Sequence, residues 1–494
     1  MSVQEEKDHE SEYTNRTLSF EDEPCLNPQN WSQARKHVIL GVALALVVCS
    51  TSGTSLASNA VISTLQEFGY DQGFAWRVLP VSMYLAGYTV GNTLLAPMSE
   101  QYGRRSINVV STFGFTIWMM ACALAPNWAA FNIFRFLNGF FGAGAPSTIS
   151  GICSDLYAGD FRRGRALLAY NMATTGGSVL GPIISGWAGM SSIGWRLSFW
   201  IGMAMGGTGM LLAIACMPET NHDVILDRRA KQIRVSDKTS WEPEGPTDGD
   251  EKGWKHIVTK VLARPLTMLC REPLVFFTCM YLAFQYSLLY IFLQSYPIIF
   301  EDTYGFNKGQ EGLTFIGVGV GVLISPFFQI GFERYYLRCL SLGHSWTRHH
   351  GARRLPPACA SGPLITIGLF WSAWTARPDV YWISPALSGI SYGLGYILNF
   401  NALLNYLVDC YTSYASSSNA ASSLTRQVMG AALPFAAAPM YRALGIGWAS
   451  SLLGFVALGL SGIPFVFWIY GERILGNSKW AQELAREKEA AKSP

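Results

Sequence analysis

The chain has 494 residues and a net charge of +3; half of its residues are hydrophobic, 13% aromatic and only 14% charged. A soluble protein carries about 25% charged residues, so this composition excludes an ordinary soluble enzyme and a nucleic-acid-binding domain. The small basic excess is a matter of topology, because the lysines and arginines gather at the ends of apolar stretches, where cytoplasmic loops carry them.

Residues 1–37 form a polar tail without the apolar core of a signal peptide. Apolar stretches of about 17–25 residues, enough to cross a bilayer, then run over 38–62, 78–98, 107–125, 131–153, 166–190 and 197–217. Residues 218–271 are a polar linker containing DRRAKQIR and PEGPTDGDEKG, rich in Pro, Gly and acids. Six more stretches follow at 274–300, 313–332, 357–376, 381–404, 415–441 and 449–470, and residues 471–494 form a second polar tail. The expected fold class is an all-α integral membrane protein: twelve transmembrane helices in two pseudo-symmetric six-helix halves, 38–217 and 272–470.

With the N-terminus inside, the cytoplasmic segments hold 29 of the 36 lysines and arginines and the outer loops 5; Arg135 and Arg426 lie within spans. That asymmetry places both termini in the cytoplasm. Asn15 and Asn30 fit the glycosylation sequon but face the cytosol, so no modification is expected there. The ten cysteines are scattered and form no paired framework. His344, His349 and His350 sit in one loop without acidic neighbours, so no metal site is read from them. The GVGVG run at 317–321 lies inside a span and lacks the preceding strand of a nucleotide site. Neither a nucleophile–base set nor a cofactor motif is present, and the chain is read as no enzyme.

An internal repeat is hinted at by Gly91, Pro97 and Glu100/Arg104 against Gly321, Pro326 and Glu333/Arg334. More specific are LLAPMSEQYGRR, RFLNGFFGAGAPSTISGICSDLY (135–157), GSVLGPIISG (177–186), GWRLSFW (194–200), MPETNHDVILDRRA (217–230), YPIIFEDTYGF (296–306), NYLVDCY (405–411) and LGIGWASSLLGF (444–455). In their order and spacing, over most of residues 27–473, the chain resembles the major facilitator superfamily. It is most similar to the fungal twelve-span drug:proton antiporters, which include exporters of drugs, polyamines and secondary metabolites. Ser185 and Asn92 depart from the usual pattern, and LRCLSLGHSWTRHHG (337–351) matches none of it.

The resemblance implies a gating charge relay of Glu100, Arg104 and Asp155, with Gly103 and Arg105 in the same turn, working against the start of span 11. Protonation of Glu100 would loosen it, and Glu100→Gln is expected to lower transport. In span 5, Gly177, Gly181, Pro182 and Gly186 put small residues on one face, and the resemblance makes them the antiporter seam that limits proton leak. Arg135 in span 4 is implied in proton movement, with snorkelling to the interface as the alternative. Arg426 either faces the cavity or reaches Asp409; both are candidates for proton coupling.

Stripes of polar residues on helix faces suggest the substrate cavity: Tyr286, Tyr290 and Gln294; Tyr392, Tyr396 and Asn399; with Asn59 and Asn138 from spans 1 and 4. Helix-to-helix hydrogen bonding is the competing explanation for each. No carboxylate is read at mid-depth in any span, since Glu100, Asp155, Glu333 and Asp409 lie near inner ends, so neutral or weakly acidic lipophilic substrates are favoured over cations. The expected function is proton-driven export of small organic molecules such as xenobiotics, toxins or a secondary metabolite. The expected setting is a monomer without cofactor in the plasma membrane, or else in an internal one. A nutrient importer of the same fold is the alternative.

Overall fold

The computed structural model describes residues 16–18, 20, 22–71, 73–237, 241–243, 263–349, 351–411, 414–476, 478 and 480; Asn15 and His350 lie outside them. Apart from one three-residue parallel strand pair, β1 (Arg16–Leu18) with β2 (Trp241–Pro243), the regular structure among the described residues is helical.

The first half comprises α1 (Gln33–Ser55), a short α2 (Val61–Glu67), α3 (Phe74–Tyr102), α4 (Arg104–Ala123), α5 (Trp128–Gly142), α6 (Gly144–Leu156), α7 (Asp160–Ala188) and α8 (Arg196–Cys216). Helices α9 (His222–Asp237) and α10 (Arg264–Arg271) follow, so the expected polar linker is helical at both ends. The second half comprises α11 (Pro273–Tyr296), continued by a π-helical turn over Pro297–Glu301, then α12 (Lys308–Thr314), α13 (Ile316–Ser341), α14 (Leu355–Thr375), α15 (Ile383–Cys410), α16 (Ala415–Ala432) and α17 (Pro434–Gly476), the last kinked at Gly445. Six of the described helical segments are long and apolar enough by themselves to cross a membrane. The expected span 4 is broken at Ala143, between Gly142 and Gly144. Helix α13 runs to Ser341, past the expected end of span 8.

The two halves repeat one packing scheme. In the first, α1 packs on α7, α3 on α5 and α4 on α8; in the second, α11 packs on α16, α13 on α15 and α14 on α17. The α3–α5 and α13–α15 pairs close by the same device, because glycine lets backbones approach where any side chain would intervene. A Cβ on Gly87 or Gly91 would collide with the backbone of Phe136 or Phe140, and one on Gly317 or Gly321 with the carbonyl of Ala386 or Ile390. Gly91 and Gly321, paired by sequence alone, thus occupy equivalent places.

The halves meet along two seams. Helix α3 packs against α16, and α7 packs against α12, α13 and α15. One end of the bundle carries Arg104, Arg165, Glu333 and Arg354 and is called the basic end below; the opposite end carries the α1–α2 turn and α12.

Candidate functional site

At the basic end, α3 stops at Tyr102 because Gly103 takes φ +94°, a conformation that side chains rarely adopt. The next helix, α4, therefore starts without a Ser, Thr, Asp or Asn cap, and its first amides need an acceptor from elsewhere. Glu219 supplies it. Its carboxylate accepts from the amides of Arg104 (2.7 Å), Arg105 (3.3 Å), Thr220 (3.0 Å) and Asn221 (3.1 Å). A Cβ on residue 103 would fall on that carboxylate, so the glycine is required for space as well as for conformation.

Arg104 is buried and turns onto α6, where Gly151 leaves room for its guanidinium. Its Nε lies 3.6 Å from Asp155 and its Nη1 donates to Ser99 Oγ at 2.6 Å. Arg105 donates to the Ile214 carbonyl at 2.9 Å, in the last turn of α8. Glu100 is a different matter. It is exposed, and what holds it is its backbone carbonyl, which accepts from Asn221 Nδ2 at 3.0 Å. The expected three-member relay is thus corrected to a pair, Arg104 and Asp155, beside a capping Glu219.

Charges that bridge the halves lie nearby. Arg165 of α7 pairs with Glu333 of α13 at 3.2 Å, and Asn171 reaches Asn401 of α15 at 3.4 Å. Along the other seam Asn92 donates to Ser423 at 2.7 Å and Ser82 to the Ala431 carbonyl at 2.7 Å.

The two arginines within spans have opposite surroundings. Arg135 is fully buried and does not snorkel; it donates to the carbonyls of Pro80 (3.2 Å), Gly53 (2.8 Å) and Thr54 (2.9 Å), with its guanidinium 4.7 Å from the Tyr84 ring centre. Gly53 and Thr54 belong to the last turn of α1, where carbonyls lack helical partners and the dipole favours a cation.

Arg426 lies over the Phe400 ring at 4.4 Å, its Nε is buried without a hydrogen-bond partner, and no described carboxylate pairs with it. Asp409 is held by Arg354 at 2.8 Å, so the alternative in which Arg426 reaches Asp409 is not what the fold provides.

Around Arg426 stand tyrosines from both halves. Tyr88 and Tyr170 from the first half, and Tyr286 and Tyr396 from the second, all lie within its electrostatic reach. Tyr286 donates to Gln427 at 3.2 Å and accepts from Tyr290 at 2.9 Å, while Tyr396 stacks on Phe400. Other expected cavity residues are engaged in helix packing. Tyr392 donates to the Gln285 carbonyl, Asn399 to the Gln285 side chain, and Asn138 to the Phe115 carbonyl. Gln294 is half-buried further along α11. Asn59 lies at the far seam, donating to Glu311 (2.8 Å) and the Pro182 carbonyl (3.3 Å).

Span 5 serves two partners instead of presenting one small face. Gly177 and Gly181 face Thr51 and Ser55 of α1, whereas Gly186 meets the Lys308 carbonyl of α12, in the other half.

A family model described as Major Facilitator Superfamily matches residues 42–434. The chain belongs to the major facilitator superfamily. It is 34% identical to a citrinin biosynthesis cluster MFS transporter of Monascus ruber, over 92% of this chain and 90% of the relative. It is also 34% identical to an MFS-type transporter of Aspergillus oryzae, over 93% and 88%. Among solved structures, the proton:xylose symporter XylE aligns with a TM-score of 0.62 at 15% identity, covering 89% of this chain and 96% of XylE. The fold and the relatives are those of multi-pass membrane transporters of small organic substrates, and no catalytic family is indicated.

For a member of this superfamily, the residues that sequence reading missed are instructive. Glu219 stands inside the quoted MPET motif, and the absence of a capping residue at Gly103 was the available signal. Arg165 counted only as a boundary charge, and Glu333 as a boundary charge and the repeat counterpart of Glu100. Glu311, two residues before the expected start of span 8, is fully buried between the halves.

Proposed function

We propose that this transporter exports small lipophilic organic molecules, neutral or weakly acidic, in exchange for protons. It would act as a monomer with twelve spans, with the basic end and both termini in the cytoplasm, in the plasma membrane. The observation that carries the substrate reading is Arg426. A charge inside a span is expensive unless compensated; the half-buried Arg426 has an aromatic face for compensation, worth about 0.5–2 kcal/mol, and a buried Nε without a hydrogen-bond partner. Tyrosine rings and Gln427 around it suit an amphiphilic organic molecule, and the free Nε suits a carboxylate or phenolate on it. A cationic drug would meet like charge.

Export in place of import is supported by the α7 seam, where Gly177, Gly181, Pro182 and Gly186 hold α7 against both halves. The citrinin-cluster relative favours a secondary metabolite among the candidate cargoes. At the basic end, Arg104 with Asp155, and Arg165 with Glu333, would form the latch that opens toward the cytoplasm. A latch of about 1.4 kcal/mol shifts a two-state ratio tenfold, enough to bias alternating access without blocking it.

The test is efflux of labelled acidic, neutral and cationic compounds from an efflux-deficient host, with and without a protonophore. Retention of acidic and neutral compounds on protonophore addition is the expected result. Export of cations alone would overturn the substrate class, and protonophore-insensitive uptake would favour the importer.

A further inference from the structure

Glu311 has no part in the site around Arg426, yet its setting is unusual. It is fully buried, and among the described residues no other carboxylate oxygen is buried without a hydrogen-bond partner, as its Oε1 is. Its Oε2 accepts from Asn59 Nδ2 at 2.8 Å, across the boundary between the halves.

The seam closes tightly around it. Helix α12 starts with a capping box at Asn307 and Gln310, which fixes its first turn. Gly312 then packs on the backbone of Pro182 and Ile183, and Gly186 on the carbonyl of Lys308, so backbone meets backbone on either side of Glu311. The same Asn59 that holds Glu311 also donates to the Pro182 carbonyl at 3.3 Å. The carboxyl group is therefore tied to the α7 seam itself.

Charges facing this group do little to compensate it. The α11 continuation brings Glu301, of like charge, and α11 brings Tyr296. On α12 itself, Lys308 donates to Ser63 Oγ at 3.0 Å. The facing stretches of α7 (182–188) and of the α1–α2 turn (56–63) contain no titratable residue. An ionised carboxylate held by one neutral amide, with one oxygen bare, is costly out of water; a neutral carboxylic acid is not.

We propose that Glu311 is a proton-operated gate of the far seam: it takes a proton from the outer solution as the halves close over it, and returns that proton to water as they part. The chemistry is one O–H bond made or broken at the carboxylate, with hydronium or water as the partner and no other reactant. The proposal rests on the reading of this chain as a proton-coupled transporter, and it assigns the pH dependence of closure at the far end, with the proton taken from and returned to the same side, to a residue at the contact between Asn59, Pro182 and α12. Because the closed state holds the proton, lowering pH favours closure and raising pH favours opening, by about tenfold in the open-to-closed ratio per pH unit for one proton.

The experiment needs no substrate. Spin labels on Asp71→Cys and Asp379→Cys, both exposed at the far end, would report the outer distance in lipid nanodiscs from pH 5 to 9. The label background is the full chain with exposed Cys25, Cys216 and Cys270 changed to serine. The expected result is a pH-dependent open fraction in this background, a permanently closed and pH-flat population in Glu311→Gln, and a retained pH response in Glu311→Asp. A flat response in the unmutated background, or an unchanged slope in Glu311→Gln, overturns the gate. Protonophore-insensitive efflux overturns the antiport reading instead, so the two failures are distinguishable. Should Glu311→Gln fail to fold, loss of the slope in Glu311→Asp overturns the gate and its retention with a shifted midpoint supports it.

Discussion

Arg135 and Arg426 are both arginines within apolar spans, one in each half, and the fold treats them in opposite ways. Arg135 has a partner at each of its three nitrogens: two carbonyls from the end of α1 and one from α3 accept from Nη1, Nη2 and Nε. Arg426 rests on a phenylalanine ring with its buried Nε unpaired. The difference teaches that a buried charge is no functional label by itself; its unspent hydrogen-bonding capacity is. Removing Arg135 breaks this comparison most severely. Arg135→Gln strands buried carbonyls at about 1–3 kcal/mol each, so the folded fraction after extraction, measured by size exclusion and thermal melting, should fall sharply, before any question of transport arises.

Arg426→Gln should act in the other sense. It removes a charge that no described carboxylate balances, so the fold should persist with a melting temperature within a few degrees. Transport of acidic compounds should suffer, with KM rising about tenfold, or 1.4 kcal/mol, while neutral compounds change little. Equal loss for acidic and neutral compounds would mean that Arg426 supports the cavity wall and reads no charge. The same logic covers Asp409: a double-mutant cycle should find coupling to Arg354, which it touches at 2.8 Å, and none to Arg426 beyond about 0.5 kcal/mol.

Much of this frame was legible in the sequence, because bilayer-length apolar runs and the placement of basic residues are local patterns. Gly91 and Gly321 could be paired on spacing alone, and the glycines of α7 could be read as close-packing positions. What could not be read was which partner each met. Gly186 faces α12 of the other half while Gly177 faces α1, a distinction made only when the halves dock. Glu311 escaped for the same reason. Nothing in KGQEGLT says that both flanking glycines will be pressed against another half, and hydropathy places such a segment in water. Tyr392 and Asn399 shared a polar stripe with Tyr396, yet they spend their hydrogen bonds on Gln285, so periodicity found the face without separating packing from lining.

The relay at the basic end extends the comparison to carboxylates and gives the smaller effects. Glu100 and Arg104 are four residues apart, a spacing that brings side chains together on one continuous helix. The helix is not continuous: Gly103, at φ +94°, ends α3 and turns Arg104 onto α6. Glu219, which takes four backbone amides, is the saturated member here, and Glu219→Gln should cost about 0.5–2 kcal/mol of stability as a lost cap. Asp155→Asn should spare the fold but weaken the Arg104 contact, lowering transport several-fold. Glu100→Gln should change both stability and transport by less than about twofold, as expected of an exposed charge whose pairing is worth little. A large transport loss in Glu100→Gln with surface expression intact would show that the carboxylate pairs with Arg104 in another conformation of the cycle. The pair observed here, Arg104 with Asp155, would then be one of two partners exchanged as the basic end opens.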